Sequence, residues 1–387
     1  MDTNAFINGL LRVADSCIGR KILVNRLDSI LYKSIVKNNN DDPASVSQKK
    51  YKWASSLMKR VIININNGYM SGDMFRKIAG IIVAGAFHSD REHYRKQVRE
   101  YEHKYGNKPP SFIVISPTQR CNLRCKNCYS GSDSKTVPQL SYDVIDRFLH
   151  EYRQEAKGRF IVFSGGEPLL YREGDKTLFD LIEKYSDIFF MFYTNGTLID
   201  KNLVEKIARL GNVVPAISVE GYEKETDDRR GKGVYSKILK AMDKLRSMGV
   251  PFIISVTATT ENSDLLLTDE FYEYYFDELG AVFMWQFQLM PMGGGKSAFA
   301  NMPSPETRVK LFHKWVDLLD SGKYPVADFW NSGMLTNGCI AYGRNGGYFH
   351  IDWNGNIMPC VFVPYTVSNI YDLYNEGKTL NDALTTK

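Results

Sequence analysis

Three thiols, Cys121, Cys125 and Cys128, fall within one short stretch, CNLRCKNCYS, of a 387-residue chain that has only six cysteines. Cysteines so sparse and uneven argue against a disulfide framework; in a reducing compartment a group of three binds metal or does catalysis. A structural zinc ion closes with four protein ligands, yet the flanking cysteines, Cys17 and Cys339, are both distant. Zinc completed by a remote histidine is one reading, and an iron-sulfur cube is the other. The cube presents four irons, so three thiolates on one loop leave the fourth open to an outside ligand. Arg120, Arg124 and Lys126 flank the thiols and are expected to lower their pKa and to offset the negative charge of such a cluster.

Two further motifs suit a small polar ligand. In SGGEP, Ser164 to Pro168, the glycines Gly165 and Gly166 let the backbone approach closely while Glu167 or backbone carbonyls accept from an amino group. In ISVEG, Ile217 to Gly221, Glu220 follows a strand and is placed to accept from ribose hydroxyls, with Ser218 two positions before it. Each motif alone is weak, because Gly-Gly turns and acids at strand ends occur throughout α/β proteins. Their order along the chain makes the set specific.

The elements that must position these groups are short apolar runs alternating with amphipathic segments. Strands are expected at Phe112 to Ser116, Phe160 to Ser164, Ile188 to Tyr193, Val214 to Val219, Phe252 to Ala258 and Val282 to Leu289. Helical periodicity lies between them, as in YDVIDRFLHEYRQEA, LFDLIEKYS and YSKILKAMDKLRSMG. Six successive βα units with right-handed crossovers curl into a partial (β/α)6 TIM-like barrel, an α/β fold whose reactive groups belong at the C-terminal ends of the strands. All three motifs sit at such ends. Residues 1–110 read as helices, broken at NNNDDPAS and NNGYMSGD and stopped at GNKPP. Beyond the barrel come the Gly/Pro-rich linker MPMGGGKSAFANMPSP, a helix from Glu306 to Leu319, and a tail in which YFHIDWNGNIMPC reads as a hairpin around Asn-Gly. The expected organisation is a helical region 1–110, a barrel 111–320 and a small extension 321–387.

At 43% hydrophobic the chain can bury a large core. Its longest apolar run, IAGIIVAGAF, is about half of the ~20 residues that a spanning helix needs, so a cytoplasmic protein is expected, at most peripheral to a membrane. Residues 1–110 carry 19 Lys and Arg against 10 Asp and Glu, whereas the whole chain nets only +5. That excess fits a solvated helical surface, and it also fits contact with an anionic membrane or an acidic partner. No basic stripe interleaved with aromatics supports nucleic-acid binding.

Taken in order, CxxxCxxC after the first strand, GGEP after the second, TNGTLID after the third, and ISVEG with DRRGKGVYSKIL after the fourth resemble the radical SAM superfamily over roughly Ser111 to Leu319. The resemblance implies a [4Fe-4S] cluster on Cys121, Cys125 and Cys128, with S-adenosylmethionine chelating the open iron through its amino and carboxylate groups. It puts Gly165, Gly166, Glu167 and Pro168 at the methionine amino end, and Ser218 and Glu220 at the ribose and neighbouring polar atoms. Arg229 or Arg230 is a candidate partner of the methionine carboxylate, a surface arginine before a helix being the alternative. In the family, one electron from the reduced cluster, fed by a flavodoxin- or ferredoxin-type donor, cleaves the sulfonium to methionine and a 5'-deoxyadenosyl radical that abstracts hydrogen from a substrate. Two positions depart from the pattern. Asn127 stands where an aromatic usually precedes the third cysteine, which moves the expected adenine-side contact to Tyr129, and Glu220 stands where Asp is commoner.

Cys339 and Cys360, with Gly355 between them, resemble the opening of the SPASM/twitch extension that carries auxiliary iron-sulfur clusters in many peptide-modifying members. The resemblance is partial, because two thiolates cannot fill the usual four protein positions. These cysteines are candidate ligands of an auxiliary cluster, with help from His350 or Asp352; the alternative is two buried cysteines in a retained fold. A peptide or protein substrate is expected from the tail, which would make the chain a maturase. The rival is a membrane lipid or isoprenoid chain, with the basic N-terminal helices docking through Trp53, Met58, Ile62 and Ile81. From another class comes a non-enzymatic iron-sulfur or zinc sensor or scaffold, against which a ligand bed beside the metal argues.

Overall fold

The computed structural model describes residues 28–38, 42–86, 91–295, 298–336, 338–341 and 346–384. Cys17 and most of the helix expected between Leu11 and Val36 lie outside these residues.

The helical region holds α1 (Ala44–Asn66), α2 (Gly72–Ala86) and α3 (Arg91–Tyr105), with the α1–α2 break at the expected Asn-Gly segment. Helix α1 lies on the barrel wall rather than standing free. Trp53 meets Phe283 edge-to-face at 5.6 Å, and the buried Arg60 donates to Phe276 O (3.0 Å) and Asp277 (2.6 Å). Lys49 and Lys52 both pair with Asp320. Ile81 is buried, and Met58 and Ile62 are partly so. Trp53, one of the residues read as a membrane-docking face, therefore spends its ring on the barrel, because a ring that packs in the core gains more than one left at the surface.

The barrel strands are β1 (Ile113–Ile115), β2 (Phe160–Phe163), β3 (Phe189–Thr194), β4 (Val213–Val219), β5 (Ile253–Ala258) and β6 (Phe283–Gln288). All six coincide with the expected apolar runs. Between them lie α4 (Tyr142–Gln154), α5 (Leu178–Lys184), α6 (Lys201–Leu210), α7 (Glu223–Arg230) and α8 (Val234–Ser247), and α9 (Pro305–Ser321) follows β6. Helix α4 shows why such segments fold as they do. Ile145, Phe148, Leu149 and Tyr152 recur at helical spacing and are fully buried against the sheet, each worth about 1.5–3 kcal/mol of burial.

Two short strands extend the parallel set at its edges; sequence periodicity did not show the first, and it showed the second only as the leading arm of the expected Asn-Gly hairpin. Strand β7 (Val326–Asp328) pairs with β6, and β8 (Phe349–Ile351) pairs with β1, both in parallel. Strands β9 (Asn356–Met358) and β10 (Ser368–Asn369) then add antiparallel, completing a sheet of order β10-β9-β8-β1-β2-β3-β4-β5-β6-β7. The hairpin between β8 and β9 turns at Gly355, whose φ of +83° demands glycine. The sheet thus runs through the boundary expected near residue 320. Its two ends meet through rings: Phe329, just past β7, lies 6.0 Å from Tyr348 and 5.6 Å from Phe362 of the tail. The tail closes the side on which an open barrel would gape.

Candidate active site

The cysteine loop leaves β1 and is tied down by backbone bonds before any side chain is considered. Gly166 N donates to Thr118 O (2.9 Å) and Glu167 N to Arg120 O (2.8 Å), so SGGEP lies alongside the segment leading to Cys121. A Cβ on Gly166 would stand 2.2 Å from Arg120 O, and one on Gly165 would stand 2.8 Å from Thr118 O. The glycines were expected to admit a ligand; what they admit first is the chain's own cysteine loop. Tyr129 fastens the same junction, its hydroxyl bonded to Ser164 (2.8 Å) and accepting from Gly165 N (3.1 Å). Its ring, not its hydroxyl, is what remains for an adenine-side contact. Asn127 has φ of +56°, a left-handed conformation that asparagine tolerates better than a bulky aromatic.

The segment Gly293–Gly295, read as linker, covers the far side of this loop. A Cβ on Gly293 would lie 1.8 Å from Tyr129 O, and one on Gly294 would lie 3.1 Å from Cys128 O. The only signal in the sequence was the triple glycine itself.

Two carboxylates expected to meet the ligand are committed elsewhere. Glu167 is buried and accepts from Asn195 N (2.9 Å), the Thr194 hydroxyl (2.9 Å) and Leu169 N (3.2 Å). It joins SGGEP to the TNGTLID turn after β3, and burial pushes its carboxyl up to about 7. Glu220, also buried, accepts from Arg229 Nη1 (2.6 Å) and Arg230 Nη2 (2.5 Å). The acid therefore acts through the arginines. They line the cavity; neither Glu220 nor Glu167 nor Pro168 does. Arg229 also bonds the cysteine loop, its O accepting from Lys126 N (2.9 Å) and its Nε donating to Lys126 O (3.2 Å).

A cavity of about 210 Å³ brings together Cys121, Cys125 and Cys128 with Gly165, Gly166 and Ser218, and Arg229 and Arg230 border it as well. Burial pushes the Cys121 thiol up to about 12, and it pushes Cys125 up against the opposing pull of Arg230 and Arg229. The flanking Arg120, Arg124 and Lys126, expected to supply that pull, are exposed. Among the described residues no three His, Cys, Asp or Glu side chains are grouped to hold a single metal ion. A tetrahedral ion with bonds of about 2.3 Å needs its thiolates nearly touching, whereas a cube holds them further apart. Three thiols around one cavity, with cations beside them and, among the described residues, no His, Asp, Glu or further Cys lining it, fit the cube better than zinc.

The tail cysteines do not line this cavity, although Cys339 lies close enough to Cys360 to help push its thiol up. Cys360 is buried and hydrogen-bonded to the Tyr348 hydroxyl (2.9 Å), while Cys339 is exposed, contrary to the reading of two buried cysteines. Of their expected helpers Asp352 is occupied and His350 only in part, its buried Nδ1 having no hydrogen-bond partner. His350 is buried against the Ser116 hydroxyl (2.8 Å), with its pKa pushed down to about 3 by burial. Asp352 accepts from Asn354 N, Asn356 N and Asn356 Nδ2 within its own turn.

Comparison with known proteins bears on the family and the fold. Residues 115–268 match the family model described as the Radical SAM superfamily. The chain is 26% identical over 292 residues to an AdoMet-dependent heme synthase of Methanosarcina barkeri, spanning 67% of this chain and 79% of that protein. It is 31% identical over 229 residues to the uncharacterized protein MJ0907 of Methanocaldococcus jannaschii, spanning 55% and 72%. It is 27% identical over 284 residues to mycofactocin maturase MftC of Mycolicibacterium smegmatis, spanning 72% and 69%. In fold it resembles Streptococcus suis SuiB bound to the precursor peptide SuiA, with a TM-score of 0.58 at 17% identity over 76% of this chain and 69% of that one.

Proposed function

The chain belongs to the radical SAM superfamily, whose members bind a [4Fe-4S] cluster and S-adenosylmethionine, and from that premise we propose that it is a maturase acting on a peptide or protein. Cys121, Cys125 and Cys128 are the residues that would hold the cluster. When bound, the two groups supply an electron and a 5'-deoxyadenosyl radical able to take hydrogen from a C–H bond. Arg229 and Arg230, held by Glu220, present guanidinium groups to the methionine carboxylate. Ser218 offers a hydroxyl to the ribose, and the Tyr129 ring is the surface available to adenine. Gly165 and Gly166 keep the wall beside the amino end free of side chains. The apolar rings below exclude water, which protects a reactive intermediate from side reactions.

One observation carries this reading: the three thiols, the glycine pair, Ser218 and the paired arginines border a single cavity at the C-terminal ends of the strands. The peptide substrate is supported by SuiB, which holds a precursor peptide, and by MftC, named as a maturase. A one-electron donor of flavodoxin or ferredoxin type is its expected partner. No described helix is long and apolar enough to cross a membrane. The test is anaerobic reconstitution, then dithionite and S-adenosylmethionine. Formation of 5'-deoxyadenosine that is lost in Cys121→Ala is expected. An iron-loaded protein that makes none would overturn the reading and favour a sensor or scaffold.

A further inference from the structure

We infer that the group entering this barrel to react is an uncharged aromatic ring, an assignment that rests on the radical SAM reading of the same cavity. Interior positions of a (β/α) barrel are ordinarily filled by branched aliphatic side chains. Here one interior row runs Ser218, Ser255, Trp285 on neighbouring strands β4, β5 and β6, and the next sets Thr257 beside Phe287. Small hydroxyl side chains on β4 and β5 leave volume unfilled.

Rings wall the rest of that volume. Tyr193 reaches Phe287 at 5.9 Å, Phe287 reaches Phe329 at 5.2 Å, and Phe329 reaches Tyr348 at 6.0 Å. Tyr348 in turn stacks on Phe112 at 4.9 Å. The wall is thus built from β3, β6, the β7 end, the tail and the start of β1, and it encloses space below the cysteine loop.

Charge decides what can enter. Among the described residues no Asp, Glu, Lys or His lines the cavity, and its only guanidinium groups, Arg229 and Arg230, are paired with Glu220 beside the cysteine loop. A charged group would be stripped of water here with no counter-charge among the rings. An aliphatic group would gain burial alone, whereas a ring also gains edge-to-face contacts from walls already spaced for them. Gln288 borders the cavity too; its Nε2 donates to Asp328 (3.4 Å), and its Oε1 is left without a partner, an acceptor suited to a ring bearing N–H or O–H.

The test is anaerobic calorimetric titration of the reconstituted protein, with S-adenosylmethionine present, using the probes acetyl-Gly-Gly-X-Gly-Gly-amide. With X as Trp or Tyr, binding is expected to be at least about tenfold tighter than with Leu, and Lys or Asp probes are expected to be weaker still. Ser255→Leu, which fills the void, should weaken the Trp probe by about tenfold or more, and Ser255→Ala should not. Should Ser255→Leu fail to fold, Thr257→Leu makes the same test. N-acetyltryptophanamide identifies the source of the ring. Binding as tight as the pentapeptide assigns a free small molecule, and weaker binding assigns a peptide side chain; both keep the ring. No discrimination among the probes, whether all bind or none does, or a preference for Lys or Asp, overturns the inference. Formation of 5'-deoxyadenosine without any probe reports on the family reading separately. Its absence beside ring-selective binding removes the radical chemistry, and its presence beside unselective binding removes the ring alone.

Discussion

Replacing Glu220 by glutamine tests whether the arginine pair is held rather than merely nearby. The carboxylate side chain is 2% exposed and lies 2.6 Å and 2.5 Å from the two guanidinium nitrogens, whose side chains are 14% and 13% exposed. At an effective dielectric of about 20, unit charges about 4 Å apart attract by about 4 kcal/mol. Two such attractions are offset by the desolvation of three ions and by repulsion between the arginines. Glutamine keeps the shape and one acceptor but removes the charge, leaving two buried cations uncompensated, a change that costs about 3–5 kcal/mol. Denaturant unfolding of the cluster-free protein should show a lower midpoint at an unchanged slope, slope times shift amounting to about 3–5 kcal/mol. Equilibrium binding of S-adenosylmethionine to the reconstituted variant should weaken by about tenfold or more, since the guanidinium groups lose their common anchor. Loss of less than about 1 kcal/mol would mean that the pair behaves as an exposed one, and the positioning role would fall with it.

Other substitutions probe other joints of the site. Cys121→Ala, Cys125→Ala or Cys128→Ala should each abolish iron binding, while the double variant Cys339→Ala/Cys360→Ala should keep about four irons per chain; about eight irons in the wild type and four in the double variant would restore an auxiliary cluster. Gly166→Ala puts a methyl 2.2 Å from Arg120 O, which forces the cysteine loop to move, so a stability loss of about 1–3 kcal/mol and reduced iron content are expected by denaturation and metal analysis. Burial lifts the Glu167 carboxyl to about 7, above the value of about 4.3 in an unfolded chain. The folded protein therefore keeps a proton that the unfolded chain has released, and its stability falls as pH rises through that interval and levels off above it. Compared with Glu167→Gln, wild type should lose about 3 kcal/mol between about pH 4.5 and 7; parallel stability curves would show that the buried carboxyl does not titrate as its surroundings dictate.

The strands that build the barrel were legible because each is a run of apolar residues long enough to register: FIVIS, FIVFS and their successors match β1 to β6 within a residue or two at each end. Strand β7, three residues long, carries too little periodicity to register; β8 was legible as the first arm of the hairpin, but its parallel pairing with β1, far off in sequence, was not. At the site, residue identity was easier to read than the use of each residue. Cys121, Cys125 and Cys128 border one cavity, as residues so closely spaced on one loop can. Glu167, Glu220 and Tyr129 are present as expected, yet their polar atoms are spent on neighbouring loops, a choice set by tertiary proximity that no local pattern encodes. Gly293 and Gly294 looked like flexible punctuation, whereas contact with the Cys128–Tyr129 backbone makes them obligatory. Ser255 and Thr257, inside an ordinary strand, gave no sign that their smallness creates room.

The hydrogen bond between Ser116 and His350 joins residues 234 positions apart. At about 5–20 residues per second, a ribosome needs roughly 10–50 s to deliver the second partner after the first. Throughout that interval the thiols are already made while one flank of their chamber has yet to be translated. A chain cut short before Tyr348 would lack both the ring that meets Phe329 and the strand that pairs with β1, so that flank of the chamber would stay open.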